Sequence, residues 1–149
     1  MALLGSAALF AAEFMTLYTE HASNVSRPLH SSTAGAHHSY ALAVIAVFAA
    51  VLAIAAWRGG SRPALLGIGV LGLAAVLIAL LRDLDAATGS GLILTSSHYA
   101  QAKDTPGAGF FVEIAGGLLL LIACVAGLLL TEPAPKPPRR TAAGARERT

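Results

Sequence analysis

Polar positions are sparse along most of this chain, and they divide it into apolar blocks of similar length. The blocks are "MALLGSAALFAAEFMTLY" (1–18), "YALAVIAVFAAVLAIAAW" (40–57), "ALLGIGVLGLAAVLIALL" (64–81) and "GFFVEIAGGLLLLIACVAGLLL" (109–130). Each is close to the roughly 20 residues that a helix needs to cross a hydrocarbon core about 30 Å thick. No proline interrupts any of them. The pattern predicts an all-α fold over residues 1–131. It is a four-transmembrane-helix bundle running up-down-up-down, with helices at about 1–19, 40–57, 63–82 and 109–131. Residues 132–149 are rich in Pro and Arg and carry no apolar period. They are expected to form a disordered basic tail near anionic headgroups.

Composition supports the class. Apolar residues make up 56% of the chain and charged residues 12%, a balance that suits lipid better than water. Basic residues set the direction. Arg58 and Arg62 lie in the short link "RGGSRP", and Lys136, Arg139, Arg140, Arg146 and Arg148 lie in the tail. By the positive-inside tendency both segments face the cytoplasm, which puts both termini inside and the two longer links outside. A secretory signal peptide is the competing reading of the first block. It requires a basic leading region, and no Lys or Arg precedes Arg27, so a retained helix is expected.

Short matches hint at an internal repeat: "ALLG" at 2–5 and 64–67, "LHSS" and "LTSS" at 29–32 and 94–97, "TAGA" and "TPGA" at 33–36 and 105–108. If real, they make two similar hairpins in a parallel repeat about the membrane normal. Such matches also arise by chance in an Ala- and Leu-rich chain.

Small and polar residues fall on one face of three of the helices. Gly72, Ala75, Ala79 and Arg82 form one stripe; Gly109, Glu113, Gly116, Gly117, Ala123, Cys124 and Gly127 form another; Ser6, Glu13 and Glu20 recur at seven-residue intervals. Gly72, Ala75, Ala79, Gly116, Gly117 and Gly127 are the expected helix-packing positions, because small residues let backbones approach in lipid. Glu13 and Glu113 are then roughly 9 Å and 6 Å below the outer helix ends, and Arg82 is at its helix end. An intramembrane cluster of Glu13, Arg82 and Glu113 is expected, with one guanidinium serving two carboxylates. Its plain role is to lock the bundle. The surplus acid keeps a proton- or cation-linked role open.

Other motifs narrow the chemistry. "GIGVLG" (67–72) matches a dinucleotide-site pattern, but it lies inside an apolar span with no preceding strand and reads as helix packing. All five histidines, His21, His30, His37, His38 and His98, lie on the outer links. Their spacing matches no zinc signature, so no metal or other cofactor is expected, with His37 and His38 the only weak candidates. "NVS" (24–26) fits a glycosylation sequon. Cys124 reads as a small buried hydrophobe, and "RDLD" (82–85) as the end of a span in water. There is no catalytic motif of a hydrolase, metalloprotease or nucleotidase, and no basic surface with aromatics for nucleic acid.

The segments "HHSYAL" (37–42), "RGGSRPALL" (58–66), "RDLDAATGSG" (82–91) and "TPGAGFFVEIAGG" (105–117) resemble uncharacterised small four-helix integral membrane proteins of high-GC Gram-positive (actinobacterial) bacteria. The resemblance implies a multi-pass location in the cytoplasmic membrane and attaches no activity. The chain therefore reads as a non-enzymatic accessory or interaction subunit. Its partners are the lipid bilayer and a membrane protein or a second copy of itself. Two alternatives stand beside it: a proton- or cation-linked small transporter using the intramembrane carboxylates, and an outward-facing metal or pH sensor using the histidines.

Overall fold

The computed structural model describes residues 1–22, 29–95 and 98–130, excepting the side chains of 38 and 93–100. The tail 132–149 and the sequon 24–26 lie outside the described residues. The elements are α1 (Ala2–Ala12), β1 (Thr16–Ala22), β2 (His30–Thr33), α2 (Ala34–His38), α3 (Ala41–Gly59), α4 (Arg62–Ile78), a π-helical turn (Ala79–Asp83), α5 (Leu84–Thr88), β3 (Ser90–Thr95), β4 (His98–Pro106) and α6 (Ala108–Leu130).

Three helices are long and apolar enough to cross a membrane: Ala41–Gly59, the continuous run Arg62–Thr88, and Ala108–Leu130. The first block departs from expectation. Its helix stops at Ala12, and its 11 residues reach only about 16 Å at 1.5 Å per residue. The chain then turns through Glu13–Phe14–Met15 into a strand. Thr16, Tyr18 and Thr19 suit a pleated surface better than a helix, and the pairing that rewards them comes from distant chain. The third helix, expected to end at 82, runs on to Thr88 through the π turn.

The fold is mostly helical but not all-α. The two long links fold together into a four-stranded antiparallel sheet of order β2-β1-β4-β3. β1 pairs with β2 from Thr16↔Thr33 to Glu20↔His30 and with β4 from Tyr18↔Pro106 to Ala22↔Ala102. Each link supplies a hairpin, and the inner strands join them. This order bears on the internal repeat. Exchanging the two halves would map the β1–β4 pair onto β3–β2, which do not pair. The helices do obey the exchange, since α3 and α6 each pack on both α1 and α4.

Glycines set how closely α6 approaches its neighbours. A methyl group on Gly116 would come within 3.0 Å of the Leu9 backbone nitrogen on α1, and one on Gly5 within 2.9 Å of the Gly116 carbonyl. On the other side, a methyl on Gly72 would meet the Gly117 carbonyl at 2.9 Å, and one on Gly117 the Gly72 carbonyl at 3.1 Å. Adjacent glycines on α6 thus serve two different helices. Ala75 and Ala79 are fully buried beside them. Gly127 is half-buried and faces Leu65, and Gly69 of the "GIGVLG" stretch faces Cys124.

Between α2 and α3 the backbone takes left-handed values at Ser39 (φ 53°) and Tyr40 (φ 64°), unusual outside glycine. The double turn swings α3 so that its first amides face the end of α1. Strain of this kind persists where surrounding contacts over-determine it.

Replacing Gly116 by Val is expected to destabilise the protein by roughly 1–3 kcal/mol, the usual range for overpacking. Thermal unfolding in detergent measures it; an unchanged transition would mean that α1 does not hold its place against α6.

Candidate functional site

Three carboxyl side chains meet where the helices reach the sheet. Asp83 is 0% exposed, Glu113 0% and Glu13 1%. They come from different elements: Glu13 from the residue after α1, Asp83 from the π turn, Glu113 from the second turn of α6. Glu113 lies within electrostatic reach of Asp83 first and Glu13 second.

The π turn decides which side chain of "RDLD" enters this centre. A regular helix carries the Gly72–Ala75–Ala79 stripe to residue 82 or 83 about equally. The wider π turn needs more than four residues to come round, which rotates Asp83 inward and Arg82 outward. Arg82 is exposed, and among the described residues no ion pair joins it to Glu13 or Glu113. The expected Glu13–Arg82–Glu113 arrangement is corrected accordingly: the two glutamates are together, and their companion is Asp83. The reading of Asp83 as a residue ending the span in water is corrected with it.

Each carboxyl has a distinct environment. Glu13 is a structural acceptor. Its Oε1 takes a hydrogen bond from the Ala43 amide at 2.8 Å, capping α3 from 30 residues away. Its carbonyl accepts from the Gly35 amide at 2.9 Å. Gly35 is needed there, because a methyl group would come within 2.9 Å of that carbonyl and 3.0 Å of Glu13 Oε2. Glu113 has no amide or cationic donor on either oxygen among the described residues. Asp83 faces outward to His37, whose Nε2 is 3.8 Å from Asp83 Oδ1. The His37 side chain is 29% exposed, and the Tyr18 ring stands edge-on to it at 6.2 Å.

His37 was expected as a weak metal candidate on a loop; it sits on α2 and its contact is Asp83. The side chains of His38 and His98 lie outside the described residues. Among the described residues no group of three or more His, Cys, Asp or Glu is arranged to hold a metal ion. The Asp83–His37 contact was missed by sequence reasoning. A usable signal existed in the four-residue steps Ala79, Asp83, Ala87, all fully buried.

No protein-family model, curated protein or solved structure matches the chain.

A second acidic contact lies on the sheet. His30, Glu20 and Asp104 stand in register across β2, β1 and β4. Burial, and then the charge of Glu20, push the Asp104 carboxyl above its ordinary range. A carboxyl raised in the folded state holds its proton more tightly there than when unfolded. The folded state is therefore favoured at acid pH, and that advantage fades as pH rises through the raised value.

Asp104→Asn is accordingly expected to match the wild type in thermal stability at acid pH and to exceed it at neutral pH. A neutral-pH loss of stability would show that the charged form is being used.

For the buried centre, a double-mutant cycle separates Asp83 from Arg82 as the partner of Glu113. The cycle of Glu113→Gln with Arg82→Gln should close to zero within error. The cycle with Asp83→Asn should leave a coupling on the order of 1 kcal/mol, as polar contacts between membrane helices do. The reverse pattern would reinstate Arg82.

Proposed function

We propose that this is a small non-enzymatic accessory protein of the plasma membrane that responds to pH on the side carrying the sheet. Helix α1 completes the membrane domain as a short fourth member, and both termini are cytoplasmic. The placement of Arg58 and Arg62 at the opposite end from the sheet supports that orientation.

The observation that carries the reading is the His37–Asp83 contact, a partly exposed imidazole 3.8 Å from a fully buried carboxylate. Histidine is the side chain that changes charge between about pH 5 and 8. Behind it, three carboxyls share one small buried region, where like charges in a low-dielectric site repel. A charge on His37 therefore acts directly on that centre through Asp83. Glu13 belongs to that centre and also caps α3, so a change in its charge reaches the packing of α1, α2 and α3.

One-sided access favours response over transport. Below the carboxyls, the Gly5–Gly116 and Gly72–Gly117 contacts close the interior. The other buried polar side chain among the described residues, Ser6, is spent on the Ala2 carbonyl at 3.0 Å. No chain of polar groups leads inward from Glu113 among the described residues.

The test is infrared spectroscopy of oriented proteoliposomes with the internal pH held neutral. Lowering the pH on the sheet side should bring up the carbonyl band of protonated carboxyl groups. Asp83→Asn should remove part of that band, and His37→Ala should shift the pH at which it appears. A band that ignores pH on the sheet side and follows the opposite compartment would overturn the reading.

A further inference from the structure

The side chain of Glu113 is 0% exposed, and among the described residues neither of its oxygens has a hydrogen-bond donor. A buried acceptor left unmet carries the full cost of its lost hydration, and that cost is larger when the group is charged. The elements packed against α6 include α1, α4 with its π turn, and β1. The charged groups they turn toward Glu113 are both acids, Asp83 from the π turn and Glu13 from the residue after α1. Arg82 is exposed, Tyr18 of β1 stands against His37, and His37 lies at the rim, 3.8 Å from Asp83 Oδ1.

The missing donor can come from the acids themselves. Asp83 lies within hydrogen-bonding reach of Glu113. Two ionised carboxylates gain nothing from that contact, since each accepts and neither donates. One proton changes this. It makes one carboxyl an O–H donor and leaves the other as acceptor, and charge-assisted bonds of this kind are among the short and strong ones. It also removes one of the like charges from a site closed to water. Glu13 is placed differently, because its Oε1 already accepts from the Ala43 amide at 2.8 Å. A metal ion suits the site less well than a proton does. Among the described residues no group of three or more His, Cys, Asp or Glu is arranged to hold one.

We infer that Asp83 and Glu113 bind one proton between them at neutral pH, as a carboxylic acid hydrogen-bonded to a carboxylate. This deepens the pH response and rests on that reading for the path of exchange past His37. The bound proton itself follows from the surroundings of Glu113.

Infrared spectroscopy of the full chain in proteoliposomes, held at one neutral pH on both sides, tests it. The chain carries Asp104→Asn, which removes the raised carboxyl of the sheet. It should show the carbonyl band of a protonated carboxyl group without any acidification. Adding Glu113→Gln or Asp83→Asn should abolish that band, because the new amide donates to the remaining carboxylate in the proton's place. Absence of the band from the chain with both acids intact would overturn the inference, and that measurement needs no change in the buried centre. A band that survives either replacement unchanged would overturn it too, by placing the proton outside the pair. Since the pH is never altered, these outcomes are independent of whether the centre answers acid on the sheet side.

Discussion

A helix that starts against an apolar bundle exposes amide groups that need acceptors, and the structure answers this at α3 with a single carboxylate. Glu13 reaches across from the end of α1 to the Ala43 amide at 2.8 Å. The first amides of a helix lack intrahelical partners and carry the positive end of its dipole, so a carboxylate is the favoured cap. Most of the local architecture follows from this contact. α1 stops where Glu13 must turn away, Gly35 lacks a side chain because Glu13 lies against it, and Ser39 and Tyr40 adopt left-handed backbone to aim α3 at the cap.

Having fixed one carboxylate, the fold places two more beside it. Glu13 is stabilised by an amide and a helix dipole, and Asp83 by an imidazole at the rim, whereas Glu113 faces other carboxyls. The three positions are therefore chemically unequal. The centre is graded from a carboxyl that accepts from a helix N-terminus to one that faces other acids. Among the described residues no basic side chain faces Glu113, whose neighbours are Asp83 and Glu13.

The legible part of the sequence was the part governed by local pattern. The spans 40–57 and 109–131 match α3 and α6 within about two residues, because a long apolar run in lipid has few alternatives to a helix. The glycine positions were legible for a related reason, since small residues at helical spacing mark close approach. What could not be read was the sheet. "TLY" (16–18) closes an apolar block and reads as the end of a helix, and pairing with both β2 and β4 makes Thr16–Ala22 a strand. Arg82 misled for a different reason. Its charge is the obvious complement to Glu113, but a π turn of five residues turns Asp83 to the inside instead.

The pairing of β1 with β4 has a consequence for how the molecule assembles. Thr19 and Thr105, bonded across this pair, are 86 residues apart, so β1 is made long before its central partner. Until β4 arrives, β1 presents an open edge of amides and carbonyls, the kind of edge that recruits strands from other chains. Its early companion β2 covers one side with four residues. The second side stays open through the synthesis of α3, α4 and α5. Completion of the sheet thus waits for β4, which follows α3, α4 and α5 along the chain and directly precedes α6.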